Sequence, residues 1–250
     1  MLRRYGPAAL LLLLAVGAWQ AVASLESVDD LTLASPVETV RAFGDDSGLL
    51  LDNAWTTLVE AGLGLAIALA VGVAVAVAMH VAPAFRDAAY PLLIATQAIP
   101  IVVVAPLIIL AFDYGIGPKI AIAALVCFFP IVVNLVDGLR SVEPDLLKLM
   151  RSAGAPRHVT LWKVELPSAL PYLFSGLRVA ATVSVIGAVF GEWAGADEGL
   201  GRLVLLGITQ LETPRVYAAV VILTVMALAL FLLVSLVQRV GAPWTREARA

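Results

Sequence analysis

Residues 55–79 read WTTLVEAGLGLAIALAVGVAVAVAM. This run matches the roughly 20 apolar helical residues needed to cross a hydrocarbon layer of about 30 Å. Five further runs are comparable: Pro7–Ser24, Ala88–Phe112, Lys119–Leu139, Ser168–Trp193 and Pro214–Val237. The expected fold is therefore all-α, a polytopic membrane protein of about six transmembrane helices forming a single domain over residues 1–250. Composition agrees. Apolar residues make up 61% of the chain and charged residues 14%, with a mean hydropathy of +0.98. Soluble domains average about 45–50% apolar and about 25% charged.

Between the first two runs lies an acidic segment, residues 25–53, carrying Asp29, Asp30, Glu38, Asp45, Asp46 and Asp52. Ser35-Pro36 followed by Val37–Phe43 predicts a capped short helix within it. The connection Asp113–Pro118 is glycine-rich and tight, and the last loop, Ala194–Thr213, carries Gly199-Leu200-Gly201. Lysine and arginine set the orientation. With both termini in the cytoplasm, the inside holds Arg3, Arg4, Arg86, Arg140, Lys148, Arg151, Arg157, Lys163, Arg239, Arg246 and Arg249. The outside holds Arg41, Lys119, Arg202 and Arg215, which makes residues 25–53 periplasmic. Arg3-Arg4, an apolar core and Ala21-Val22-Ala23 also fit a cleavable signal peptide. A retained helix suits a polytopic chain better, and cleavage would leave the other orientations unchanged.

Much of this excludes rather than selects. The net charge of −3 offers no basic field for nucleic acid. The one cysteine, Cys127, sits in an apolar run, and the two histidines, His80 and His158, form no cluster with metal spacing. No Ser/His/Asp or paired-carboxylate arrangement supports a catalytic site. The chain is expected to be no enzyme and to bind no cofactor. It has no Gly-x4-Gly-Lys-Ser/Thr loop, so nucleotide energy must come from another chain.

The longest hydrophilic break of the later half contains a cytoplasmic loop, residues 145–167. Glu143-Pro144-Asp145 predicts a helix start. Leu146, Leu149, Met150 and Ala153 then form an apolar face, with Lys148, Arg151 and Ser152 opposite. Gly154 predicts the C-terminal turn. A second amphipathic piece sets Val159, Trp162 and Val164 against Arg157, His158 and Lys163, and Leu166-Pro167 is expected to stop it. Amphipathicity alone also fits a helix lying on anionic lipid.

Spacing adds to that reading. Gly154, nine residues, Val164, one residue, and Leu166-Pro167 match the Gly-x9-Ile-x-Leu-Pro core of one loop in ABC importer permeases. The sequence thus resembles the membrane subunits of binding-protein-dependent ABC importers. Lys148-Leu149-Met150 stands where the usual Glu-Ala-Ala lead-in would be, so the register of the first contacts departs from the pattern. Gln97-Ala98-Ile99-Pro100, the run from Cys127 to Asn134, Gly191-Glu192-Trp193 and Gly199-Leu200-Gly201 look like the sulfonate, taurine, nitrate and thiamine-precursor branch. The resemblance spans roughly Ser35 to Trp244. Within the branch, Ser184–Trp193 looks most like permeases for hydroxymethylpyrimidine precursors of thiamine.

The resemblance implies a bacterial inner-membrane permease, paired with a second copy and driven by an ABC ATPase that uses ATP. A periplasmic or lipid-anchored binding protein would supply a small polar solute. The expected cargo is a thiamine pyrimidine precursor, with sulfonate, taurine or nitrate as the alternative. The implied ATPase-docking residues are Leu146, Leu149, Met150, Arg151, Gly154, Arg157, Trp162, Leu166 and Pro167. Polar residues at depth are costly and often functional, which makes Gln97, Asn134 and Glu192 candidates for the substrate path. Arg178 is expected to pair within the membrane, with Asp137 as a candidate partner. Two stripes of small residues predict close helix packing: Gly62, Ala66, Ala70 and Ala74, and Gly176, Ala180, Ser184 and Ala188. A self-contained secondary transporter is the alternative of a different class. It would show more spans and internal repeats.

Overall fold

The apolar runs form helices, with one of them broken at Ile99-Pro100, because in lipid each peptide group must find its partner within its own segment. The computed structural model describes residues 2–25, 29, 32–112 and 114–244, and among them there is no strand. Asp30, Asp113, Arg246 and Arg249 lie outside the described residues, as do the side chains of Arg3 and Arg4. In chain order the helices are α1 (Leu2–Ala23), α2 (Pro36–Asp45), α3 (Ser47–Val81), α4 (Pro83–Ala98), α5 (Ile101–Phe112) and α6 (Ile116–Arg140). They continue with α7 (Pro144–Ser152), α8 (Arg157–Thr160), a π-helical turn (Leu161–Glu165), α9 (Leu166–Gly195), α10 (Leu200–Gln210) and α11 (Thr213–Gly241).

Among the described residues, four unbent segments are long and apolar enough to cross a membrane: α3, α6, the continuous helix Arg157–Gly195, and α11. The run expected as one span over Ala88–Phe112 is instead two helices, α4 and α5, bent by 101°. Two properties of proline cause the break. Pro100 has no N–H to continue the ladder, and it pushes the preceding residue out of the helical region. Ile99 accordingly sits at φ −95°, ψ 117°.

The chain divides into two compact units, Met1–Thr57 with Asp197–Thr224, and Leu58–Ala196 with Val225–Ala250. In the first, α2 begins with a capping box as its sequence predicts. Glu38 N–H donates to Ser35 Oγ at 3.2 Å, while Ser35 N–H donates back to Glu38 Oε2 at 2.7 Å. Trp19 stacks on Tyr217 at 5.6 Å between ring centroids, and its indole N–H donates to the Ala34 carbonyl at 3.0 Å. Arg215 donates from Nε to Asp46 Oδ2 at 2.7 Å and also pairs with Glu212.

The second unit is built on glycine contacts between helices. A Cβ on Gly187 would stand 2.7 Å from Ala123 Cα, and one on Gly176 would strike the Pro130 carbonyl oxygen. Helices meet this closely only where one side lacks a side chain, which suits lipid, where apolar burial gives little drive between helices. The stripe Gly176, Ala180, Ser184 and Ala188 is buried as expected. The stripe on α3 is not the expected one. Ala66, Ala70 and Ala74 are exposed, and the buried face is Ala61, Gly64, Ala68, Gly72 and Ala76. Both sets repeat every three to four residues, so periodicity alone could not choose between them.

Candidate functional site

Helix α7 starts where its residues dictate. Pro144 occupies the first turn, whose N–H groups have no intrahelical acceptor, and Glu143 ahead of it is non-helical at ψ 128°. Asp145 lies in the first turn and Arg151 in the last, each sign matched to the helix dipole. Lys148 Nζ reaches Asp145 Oδ1 at 2.8 Å, an exposed pair that adds little.

The end of α7 carries more information. Gly154 has φ +72°, a left-handed conformation that L side chains resist. From there its N–H donates to Arg151 O and the Ala155 N–H donates to Met150 O, both at 3.0 Å. These two bonds form a Schellman motif, which gives the last carbonyls partners and turns the chain sharply. The expectation that Gly154 makes the C-terminal turn of α7 holds.

The expectation that Leu166-Pro167 stops the second piece does not hold. The helix runs unbroken from Arg157 to Gly195. It accommodates the proline by widening first: Leu166 N–H donates to Leu161 O, five residues back, at the end of the π-helical turn. Pro167, which has no N–H to donate, follows directly on that turn as the second residue of α9. Trp162 and Lys163 are therefore rigid extensions of a membrane-crossing helix.

No residue of α7 is buried. Leu149 is 64% exposed and Trp162 70% exposed, and Leu146 also stands open. Met150 is half-buried, while Arg151 and Arg157 are exposed. Leu166 and Pro167 are half-buried at the join to α9. Two contacts tie the segment to α3. Arg157 Nη2 donates to the Val81 carbonyl at 3.0 Å, and His80 Nε2 lies 3.0 Å from Glu165 Oε2.

The three path candidates have separate settings. Gln97 is exposed beside the α4–α5 bend, its amide donating to Thr96 Oγ1 at 3.2 Å. Asn134 donates to Pro130 O at 2.7 Å, one turn back in its own helix, and its side chain abuts Gly176. Glu192 is 1% exposed and belongs to a charge cluster that sequence reasoning missed. In that cluster Lys119 Nζ lies 3.2 Å from Glu60 Oε1, and Glu192 brings a second carboxylate against Glu60. Lys119, expected as an outside surface charge, is thus a buried partner. The available signal was the requirement that an ionisable residue inside an apolar run find a counter-charge. Arg178 donates to Ser175 Oγ at 3.2 Å.

A family model described as "Binding-protein-dependent transport system inner membrane component" matches residues 47–247. Among curated proteins, the riboflavin transport system permease RibX of Chloroflexus aurantiacus is 40% identical over 240 residues, covering 95% of this chain and 89% of that protein. The formylaminopyrimidine transport permease ThiX of Halalkalibacterium halodurans is 34% identical over 216 residues, 86% of each chain. The taurine permease TauC of Escherichia coli is 30% identical, over 92% of this chain and 86% of TauC. Among solved structures, an amino acid ABC transporter aligns at TM-score 0.64 and 19% identity, covering 79% of this chain and 96% of that one. The inward-facing methionine transporter MetNI aligns at 0.62 and 20%, covering 82% and 98%. These two likenesses concern the fold.

Proposed function

Because the chain belongs to the binding-protein-dependent transport system inner membrane components, and is thus the permease subunit of an ABC importer in a bacterial inner membrane, we propose that residues 144–167 are the lever on which its ATPase acts. The exposed apolar surface of Leu146, Leu149 and Trp162, together with half-buried Met150, carries this reading. An ATPase groove would cover it, with Gly154, Leu166 and Pro167 fixing its angle and Arg151 and Arg157 at its edge. Closure of the ATPase on ATP would displace Trp162 and, through the unbroken Arg157–Gly195 helix, the whole of α9. Rigid elements transmit displacement where floppy loops absorb it. Two copies of the permease would pair around the path, with both termini in the cytoplasm and the binding protein delivering from outside.

The test is co-purification with the Walker-motif ATPase. Gly154→Asp is expected to abolish it while the variant still inserts into membrane. Undiminished co-purification would overturn the lever.

For the cargo we propose a thiamine pyrimidine precursor, supported by the similarity to ThiX and by the resemblance at Ser184–Trp193. The greater identity to RibX favours a flavin as the second reading, and TauC favours a sulfonate as the third. Thermal stabilisation of the partner binding protein by hydroxymethylpyrimidine, riboflavin or taurine decides among them. Of the path candidates, Gln97 at the bend is proposed to meet the solute, with Asn134 and Glu192 shaping the helix contacts around it. Gln97→Ala is expected to lower uptake, and unchanged uptake would remove it.

A further inference from the structure

Between α7, the start of α8 and the end of α3 lies a cavity of about 530 Å³, lined by His80, Leu147, Arg151, Arg157, Thr160 and Glu165. Its volume falls in the range of small-molecule sites, about 300–1,000 Å³. Its charge is unbalanced. Two guanidinium groups, always protonated, face a single carboxylate, and that carboxylate is already engaged with His80 at 3.0 Å. Arg157 uses one N–H on the Val81 carbonyl. The Arg151 side chain has no hydrogen bond or ion pair among the described residues. The Thr160 hydroxyl adds a neutral donor on the same wall, and Leu147 adds an apolar one.

We propose that this cavity binds a phosphate-bearing anion. Guanidinium groups match the geometry of phosphate oxygens and form charge-assisted hydrogen bonds with them. The phosphate would join Arg151, at the end of α7, to Arg157 and Thr160, at the start of the long helix. It would brace the turn at Gly154 that separates the two helices. The proposal rests on the lever reading for its consequence, since a braced turn would pass ATPase motion to α9 with less loss. The phosphate can come from an anionic lipid headgroup at the bilayer surface or from a soluble phosphate compound.

The test uses the full chain in nanodiscs without the ATPase, so its outcome is independent of docking. In discs mixing phosphatidylcholine with phosphatidylglycerol, native mass spectrometry is expected to show phosphatidylglycerol retained on the permease. In pure phosphatidylcholine discs, inorganic phosphate is titrated by calorimetry. Retention of lipid alone assigns the headgroup as the source, and phosphate binding alone assigns a soluble one. Arg151→Gln is expected to lower the affinity about tenfold, roughly the worth of one charge-assisted hydrogen bond. Arg151→Lys should restore part of it, which a merely misfolded variant would not. Binding in neither arm, or equal binding by the double Arg151→Gln, Arg157→Gln variant, would overturn the site.

Discussion

Lys119 Nζ and Glu60 Oε1 are 3.2 Å apart, and the Glu60 side chain is wholly enclosed. The ion pair links α3 to the first turns of α6, and Glu192 joins it from the last turns of α9. Three helices are thus held together by charges that none could carry into an apolar interior alone. The geometry explains the glycine at position 191, where a Cβ would stand 3.1 Å from Lys119 Cα.

Lys119→Met follows directly. Breaking a buried pair by removing one partner leaves an uncompensated charge and costs about 3–5 kcal/mol. The variant should lose most of its folded yield, read by fluorescence-detected size exclusion after a thermal ramp. The double variant Lys119→Met, Glu60→Gln removes both charges and should recover part of the loss. Equal stability of Lys119→Met and wild type would show that the pair contributes nothing.

Two glycines separate tight packing from open surface. Gly176→Ala places a methyl against the Pro130 carbonyl and 2.8 Å from Asn134 Cβ. Helices α6 and α9 must part, at a cost of about 1–3 kcal/mol. Gly62→Ala meets nothing within 4 Å and should be neutral or slightly stabilising, because alanine is the better helix former. Melting temperatures of the two variants in one detergent make the comparison.

The same contrast shows how much of the molecule was legible in its residues. Features closed within a few residues could be read: the Ser35–Glu38 capping box, Pro144 at a helix start, and Gly154 at a left-handed turn. Features depending on a neighbour far along the chain could not. Glu60 needed Lys119 and Glu192 to reveal its role, and the buried face of α3 needed α6 to select Gly64 over Gly62. Pro100 announced a break, but its 101° angle depends on surroundings that the local sequence does not contain. Pro167 was misread because the rule that proline stops a helix assumes a regular turn before it. The π-helical turn at Leu161–Glu165 removes that assumption. The residues proposed to dock the ATPase lie in one stretch of sequence, whereas the cavity beside them is assembled from α3, α7 and α8.

The capping box of α2 predicts a response to pH. Hydrogen bonds from the Ser35 backbone and hydroxyl hold the Glu38 carboxyl below its ordinary value of 4.5. A depressed carboxyl contributes stability that is present above its unfolded pKa and is lost as pH falls through the folded one. Hydrogen exchange across residues 36–45, corrected for intrinsic rates, should therefore be constant above about pH 5 and accelerate below 4.5. Glu38→Gln should exchange faster at neutral pH and lose that acid-induced acceleration. An identical acid response in Glu38→Gln would mean that another group is responsible.

Helix α10 begins without a cap of its own, because Gly199 at its start has no side chain and sits at φ +116°. Its first donors are satisfied from α3. Gly199 N–H donates to Asn53 Oδ1 at 2.7 Å, and Leu200 N–H donates to Thr57 Oγ1 at 2.9 Å. Thr57 and Leu200 are both fully buried, so no water can replace the hydroxyl. Thr57→Val keeps the shape of the side chain and leaves the Leu200 donor unpaired, at a cost of about 1–3 kcal/mol. Thr57→Ser keeps the hydroxyl and should fall close to wild type in melting temperature. Exchange protection at the start of α10 should drop in the valine variant only. If serine lowers stability and valine does not, methyl packing governs the site and the hydrogen bond does not.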